Sequence, residues 1–276
     1  MSRNLHLTKH GRNSGPRWAL DGHYLPRSVS IEGLLGLRHA DLLETLNSVD
    51  RGGEVVESTL APVADTHEVW ASGVTYLTSR EAREHESGVA DVYRMVYEAE
   101  RPELFIKSIG WRVQGSGDPI RVRRDSEWNV PEPELVLVLN RYMEVVGFTI
   151  GNDVSSRSIE GANPLYLPQA KFYNGSCSLG PGIWFPQIHE VPQAFTISLA
   201  IMRSDEQIFG SSVSTSQMKR SFSELSAHLG SELDFPYGVF LMTGTAIVPG
   251  DGFTLQSGDR VEVDVPQIGT LTNVVM

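Results

Sequence analysis

Apolar positions along the chain recur with two periods, and this difference separates the predicted helices from the predicted strands. Leucines recur at helical spacing over residues 30–47, where Ser30 can cap the first turn. The highly charged residues 79–100 are also predicted to be helical. Ser221 and Glu224 form a capping box in front of a further short helix.

Segments rich in strand-forming residues make up most of the remaining pattern. The predicted strands and a hairpin cover residues 103–109, 134–140, 144–151, 194–212 and the tail 258–276. Strands dominate and do not alternate regularly with helices, which favours the α+β class with a largely antiparallel or mixed sheet. A break containing glycine and proline indicates a small N-terminal domain, residues 1–65, before a main domain, residues 66–276.

Composition and charge restrict the partners of this chain of 276 residues. Its net charge of -11 argues against nucleic acid or an anionic membrane surface as a partner. No apolar run reaches the length of a membrane helix, and the first residues lack the apolar segment of a secretory signal. With one cysteine, neither an intramolecular disulfide nor a cysteine-rich zinc site is possible. We therefore expect a cytoplasmic protein.

Three acidic residues stand where core strands begin and end. Glu132 and Glu134 open the run PEPELVLVLN, and because they lie two apart in a strand they face the same side. Asp153 follows the next predicted strand, in GNDVSSR. Carboxylates of this kind suit a hard ion such as Mg²⁺ or Mn²⁺. From the residues alone, a solvated strand edge and ordinary turn chemistry remain open alternatives.

Two further segments place charged residues among aromatic ones. Lys171 lies between an apolar loop and two aromatics, which indicates a desolvated amine or a lysine that reaches to the surface. Glu103, Phe105 and Lys107 share one face of a predicted strand. That arrangement fits an acid–base pair or a cross-strand ion pair.

Taken in order, these motifs resemble the fumarylacetoacetate hydrolase superfamily. The matching runs, from about Val69 to the C-terminus, are EPEL, GFTIGNDVSSRS, PQAKFYNGSCSLGPGIW, LMTGTAIVPGDGF and SGDRVEVDVPQIGTLTN. The resemblance implies a β-rich roll, usually a homodimer, and an Mg²⁺ site formed by Glu132, Glu134 and Asp153 with Lys171 beside it. It also implies a 2-oxo acid substrate that chelates the metal, with Mn²⁺ as the alternative ion.

One departure from the family pattern indicates which reaction to expect. Hydrolases of the superfamily carry N-Y-x-x-H-x-x-E, whereas this chain keeps Tyr76 but has Ser79 and Ala82 in place of the histidine and glutamate. A serine without a neighbouring base does not readily generate hydroxide, so hydrolysis is not expected. The short interval between Glu134 and Asp153 also resembles the dehydratase branch. That branch converts 2-keto-3-deoxy-pentonates such as 2-dehydro-3-deoxy-D-arabinonate into 2,5-dioxopentanoate.

The resemblance therefore predicts an Mg²⁺-dependent hydro-lyase of pentose catabolism that acts through a metal-stabilised enolate and needs no redox cofactor. Lys171 and Glu103 are the expected proton-transfer residues. Ser79, Arg80 and Thr245 are expected to bind the hydroxyls or the carboxylate of the sugar acid.

Several alternatives remain open at this level. An acylpyruvate hydrolase or a 2-oxo acid decarboxylase of the same fold would use a similar metal site. A non-catalytic sugar-acid-binding protein would bind the ligand without turning it over. The substrate could derive from arabinonate or from xylonate, and the homo-oligomer could be a dimer or larger.

Overall fold

The computed structural model describes residues 5–11, 15–86, 90–250 and 252–276. These residues form two large β-sheets and one two-stranded sheet. The strands are β1 (Leu5–His10), β2 (Arg17–Leu20), β3 (His23–Tyr24), β4 (Thr59–Leu60), β5 (Glu68–Gly73), β6 (Glu103–Ile109), β7 (Asn129–Val130), β8 (Pro133–Leu139), β9 (Val145–Asp153), β10 (Ser155–Ser156), β11 (Cys177–Phe185), β12 (Thr196–Arg203), β13 (Glu206–Ser214), β14 (Val239–Met242), β15 (Arg260–Val265) and β16 (Gly269–Val274). The helices are α1 (Ile31–Leu35), α2 (His39–Ser48), α3 (Leu77–Glu86), α4 (Ala90–Glu98), α5 (Arg157–Ala162), α6 (Leu167–Lys171) and α7 (Phe222–Leu229).

The larger sheet is mixed, which confirms the predicted class. Its ten strands follow the order β3-β2-β1-β11-β9-β8-β14-β5-β6, with β4 paired to β1. The strands β14 and β5 run parallel, whereas β8 and β9 form an antiparallel pair. A second, antiparallel sheet has the order β13-β12-β15-β16 and contains the predicted hairpin and the predicted C-terminal strands. Strands β7 and β10 form the two-stranded sheet.

Strand β8 is buried on both faces, and this accounts for its uninterrupted apolar sequence. Leu135 and Leu137 pack into a core that includes residues of the four-stranded sheet. Val136 and Val138 face the other way, into a core that includes leucines of α1 and α2. Burial of each such side chain contributes about 1.5–3 kcal/mol. The strand that begins at the acidic residues is therefore held rigidly from two sides.

The N-terminal residues join the same sheet and the same core as the rest of the chain. Strand β1 pairs with β11, so that Leu7 lies opposite Ile183. Leu7 and Leu42 belong to the core that also contains Val136 of β8. The predicted boundary near residue 65 falls between β4 and β5. The division into two domains stays a prediction from the sequence.

The helix predicted over residues 30–47 is two helices in the structure. Ser30 caps α1 as expected, because its hydroxyl accepts a hydrogen bond from the Gly33 N–H at 3.1 Å. Helix α1 ends before Gly36, a residue of low helix propensity. Helix α2 starts anew where the Glu144 carboxylate accepts a hydrogen bond from the His39 N–H at 3.0 Å. The partner comes from another part of the chain, so local periodicity could not reveal the break.

The charged segment predicted to be helical is helical where it is described, in α3 and α4. Residues 87–89 between them lie outside the described part of the chain, and the prediction of one continuous helix falls on them. The capping serine of α7 is confirmed, since the Ser221 hydroxyl accepts a hydrogen bond from the Glu224 N–H. Within the described ranges, no helix combines the length and apolar character needed to cross a membrane.

Candidate metal centre and catalytic pocket

Most of the predicted site residues lie at one end of the large sheet. The start of β8 lies beside the end of β9, with Glu134 opposite Gly151. The end of β14 leads to Gly244 at the same edge, and β5 ends there beside the start of β6, with Gly73 opposite Glu103. Antiparallel and parallel pairings thus bring segments that are far apart in sequence to the same edge of the sheet.

The side chains of Glu132, Glu134 and Asp153 lie close together at this edge of the sheet, as predicted. One carboxylate oxygen of each lies within 4.8 Å of the others, and all three residues are at most 3% exposed. The backbone fixes their relative positions, because the Asp153 N–H donates to the Glu132 carbonyl at 2.9 Å. The Glu132 N–H donates in turn to the Asn152 side-chain oxygen at 3.1 Å. Three buried oxygen donors of like charge fit a hard divalent cation.

Lys171, at the end of α6, lies among these carboxylates and is 2% exposed, so it is not a lysine that reaches to the surface. Its amine donates to Glu132 Oε2 at 2.8 Å, to Asp153 Oδ2 at 3.2 Å and to the Ser155 hydroxyl at 2.6 Å. These three partners match the three N–H groups of an ammonium.

Glu134 is in a different electrostatic position from the other two acids. Its Oε2 accepts a hydrogen bond of 2.5 Å from the Gly244 N–H. Burial, together with the negative charges of Asp153 and Glu132, raises the pKa of Glu134 well above its ordinary value. A divalent cation in the triad would favour the ionised form, which is a second reason why the donor set suits a metal.

Two buried cations behind the triad were not predicted as site residues. The Arg157 guanidinium pairs with Glu132 Oε1 and with Glu160 Oε2, each at 2.9 Å. The Lys107 amine pairs with Asp153 Oδ1 at 2.5 Å. Arg157 is the last residue of the GNDVSSR motif, and Lys107 lies in strand β6 with Glu103 and Phe105, so both belong to motifs that the sequence already singles out.

The pocket in front of the triad is lined by Glu103, Phe105, Ser79 and Thr245, among others. The Glu103 carboxylate lies against Gly73, where a methyl group would be 2.1 Å from Glu103 Oε2. The structure thus brings the predicted proton-transfer acid into the same pocket as Lys171. No histidine lines this pocket in the described part of the chain, and Ala82 offers no carboxylate to activate Ser79.

Two of the three predicted substrate-binding residues line the pocket, and the third does not. The Ser79 hydroxyl donates to the Tyr76 carbonyl at 2.8 Å and accepts from the Tyr76 N–H at 3.2 Å, which caps α3. The Thr245 hydroxyl accepts a hydrogen bond of 3.1 Å from the Ile247 N–H. Arg80 does not line the pocket, because its guanidinium lies over the Tyr97 ring at 5.2 Å.

Comparison with known proteins extends this description. Residues 68–276 match the model of the fumarylacetoacetate (FAA) hydrolase C-terminal domain. A protein of Haloferax volcanii described as "Probable 2-keto-3-deoxyxylonate dehydratase" is 48% identical over 236 residues, covering 86% of this chain and 81% of the relative.

A second related sequence and a solved structure have names that describe the same kind of dehydratase. A 2-dehydro-3-deoxy-D-arabinonate dehydratase of Saccharolobus solfataricus is 44% identical over 216 residues, 76% of this chain and 72% of that protein. A solved structure of 2-keto-3-deoxy-D-arabinonate dehydratase complexed with magnesium and 2,5-dioxopentanoate superposes with a TM-score of 0.84. It is 32% identical, and 98% of each chain is covered.

Proposed function

Because this chain belongs to the fumarylacetoacetate hydrolase family, we propose that it is an Mg²⁺-dependent hydro-lyase that converts a 2-keto-3-deoxy-pentonate into 2,5-dioxopentanoate. One observation carries the proposal. The pocket combines a buried carboxylate triad with Lys171, but Ser79 and Ala82 occupy the positions of the hydrolytic histidine and glutamate. The names of the relatives support the same reaction.

Glu132, Glu134 and Asp153 are the residues proposed to hold the metal. When bound, Mg²⁺ supplies Lewis-acid polarisation of the 2-keto oxygen, which lowers the cost of removing a proton from C3. The buried position of the three carboxylates excludes most water from this site, and charge interactions are stronger there than in bulk solvent.

Glu103 and Lys171 divide the proton transfers in the proposed reaction. The Glu103 carboxylate takes a proton from C3, since it lines the same pocket as the triad. The Lys171 ammonium stabilises the negative charge that develops on the substrate and can supply a proton to the departing C4 hydroxyl. Water then leaves, and a double bond remains between C3 and C4. A proton moves from C5 to C3 to give the C4–C5 enol, and the enol hydroxyl proton then moves to C4, which produces the C5 aldehyde. The sum is loss of one water without oxidation or reduction.

Ser79 and Thr245 are proposed to bind substrate hydroxyls, because both line the pocket. Each hydroxyl already has a backbone partner, so its orientation is fixed before the ligand arrives. Arg80 is also proposed as a substrate contact, and this requires its guanidinium to leave the Tyr97 ring. A complex with the product would test all three assignments.

We also propose that the protein is a cytoplasmic homodimer or larger homo-oligomer in pentose catabolism, as the family resemblance implies. Light scattering coupled to size-exclusion chromatography tests the assembly. A mass of about 30.5 kDa, that of a single chain, would contradict it.

The experiment for the reaction is a coupled assay with both C4 epimers of 2-keto-3-deoxy-pentonate. A semialdehyde dehydrogenase would oxidise the 2,5-dioxopentanoate formed, and NAD(P)H would be read out. We expect a signal that disappears with EDTA and returns with MgCl₂, and the preferred epimer follows from the two rates.

Three other outcomes would each contradict the proposal in a different way. Silence with both epimers but release of two acids from an acylpyruvate would indicate a hydrolase. Loss of carbon dioxide from a 2-oxo acid would indicate a decarboxylase. Binding of both epimers without turnover would indicate a non-catalytic binding protein.

A further inference from the structure

Lys107 is a fully buried amine that the proposed reaction does not use. It lies on β6, where the register with β5 shifts between Val69 and Trp70, and has no exposed surface. It does not line the pocket, so it cannot contact the substrate there. An isolated buried ammonium is costly, and its retention requires strong compensating contacts.

Lys107 contacts both a candidate metal ligand and the backbone next to the metal centre. Its amine pairs with Asp153 Oδ1 at 2.5 Å and donates to the carbonyl oxygens of Val154 at 3.0 Å and of Lys171 at 2.6 Å. Three acceptors match the three N–H groups of an ammonium. A single side chain therefore holds a candidate metal ligand and the backbone of the residue proposed to transfer protons.

Acidic and basic side chains meet at the metal centre. In the described residues, five carboxylates form the triad or line its pocket: Glu103, Glu132, Glu134, Asp153 and Glu160. Buried cations that contact the triad include Lys107, Lys171 and Arg157. Asp153 is held from two sides, by Lys107 on Oδ1 and by Lys171 on Oδ2.

We propose that Lys107 is an internal counter-cation of the metal centre. It keeps Asp153 in position and stabilises the metal-free protein, so that the site is formed before Mg²⁺ binds. Lys107 acts through Asp153 and is a positioning residue. The inference rests on the proposed metal site but not on the identity of the reaction.

The proposal predicts a dependence on magnesium that a packing role would not produce. In Lys107→Met the apolar stem is retained and the charge is removed, leaving Asp153 without one of its partners. With excess EDTA we expect the melting temperature to fall by about 10 °C relative to the wild type. With excess MgCl₂ we expect about half of that loss, because the divalent ion replaces the missing charge.

A matched control is Arg203→Met, which removes the partner of Asp259 at 2.7 Å, away from the pocket. Its loss of melting temperature should be the same with EDTA and with MgCl₂. An equal loss for Lys107→Met in both conditions, while the wild type responds to MgCl₂, would overturn the proposal. A wild type without any MgCl₂ response would instead overturn the metal site itself, and the inference with it.

A second variant covers the case in which Lys107→Met does not fold. The double substitution Lys107→Met with Asp153→Asn removes both partners of the pair and leaves no unpaired buried charge. We expect this variant to fold and, with EDTA, to melt above the single variant. A double variant no more stable than Lys107→Met would show that the lost charge is not the cause.

Discussion

The Lys171 amine lies 2.8 Å from Glu132 Oε2, so the proposed proton donor and a proposed metal ligand are direct hydrogen-bond partners. The same amine reaches Asp153 and the Ser155 hydroxyl. Its position therefore depends on the metal ligands, and theirs depend on it. Single substitutions at these positions separate the contributions of the residues.

Replacing Lys171 by methionine should abolish turnover while the protein still binds magnesium. Methionine retains an apolar stem next to Phe105 but cannot stabilise negative charge or donate a proton. We expect the rate to fall by about 10²–10⁴-fold. The measurement is the coupled dehydratase assay, with the MgCl₂-induced rise in melting temperature as evidence of metal binding. Activity within a few-fold of the wild type would remove Lys171 from the mechanism.

The variant Glu134→Gln should fold and lose the response to magnesium. Glutamine resembles the protonated carboxyl, and the pKa of Glu134 is already raised by burial and by two neighbouring acids. Removing the Glu134 carboxyl group therefore relieves its repulsion with Asp153 and Glu132 in the metal-free protein. We expect an unchanged or higher melting temperature with EDTA, a greatly reduced shift with MgCl₂, and no metal-dependent activity. Full activity in this variant would refute the site.

A methyl group at Gly73 should displace Glu103 without unfolding the protein. The methyl carbon would lie 2.1 Å from Glu103 Oε2, the flexible end of a side chain, so the carboxylate can move while the backbone stays in place. We expect Gly73→Ala to lose at least about tenfold in rate and to keep its MgCl₂-induced thermal shift. Gly53→Ala, which has nothing within 4 Å, is the matched control and should behave as the wild type. Equal rates for the two variants would argue against Glu103 as the base.

Acidification should destabilise the fold through His67. The ring is buried, Nδ1 accepts from the Ala64 N–H at 2.9 Å, and Nε2 contacts the Tyr237 carbonyl at 2.8 Å. Burial lowers the pKa of His67 from its ordinary value of 6.5. The unfolded chain therefore binds a proton at higher pH than the folded chain does, and this part of the stability is lost as pH falls below 6.5.

Urea unfolding of the wild type and of His67→Gln at a series of pH values would check this expectation. The difference in unfolding free energy between the two should shrink as pH is lowered, because the buried neutral ring loses its advantage. His189→Gln, at an exposed position, is the control. A difference that stays constant with pH would assign the acid sensitivity to other groups.

Local sequence predicted β6, β8, β9, the β12–β13 hairpin and the C-terminal strands, together with the first turns of α1 and α7. The apolar run of β8 and the serine caps of α1 and α7 depend on groups within a few positions of one another, so the local sequence reveals them. The candidate ligands were also readable, since an acid at the start of a core strand is unusual and the order of motifs resembled one family. The roles of the ligands and of Glu103 stay predictions.

Only the tertiary structure decided which partners those groups have. Lys107 could have paired along its own strand, yet β6 and β9 are separated by other strands and its amine meets Asp153 beneath the pocket. The carboxylate of Glu144 accepts a hydrogen bond from the first residue of α2, and Arg80 turns towards Tyr97. Such contacts depend on strand order and on helix packing. They join residues far apart in the chain, and no local period encodes them.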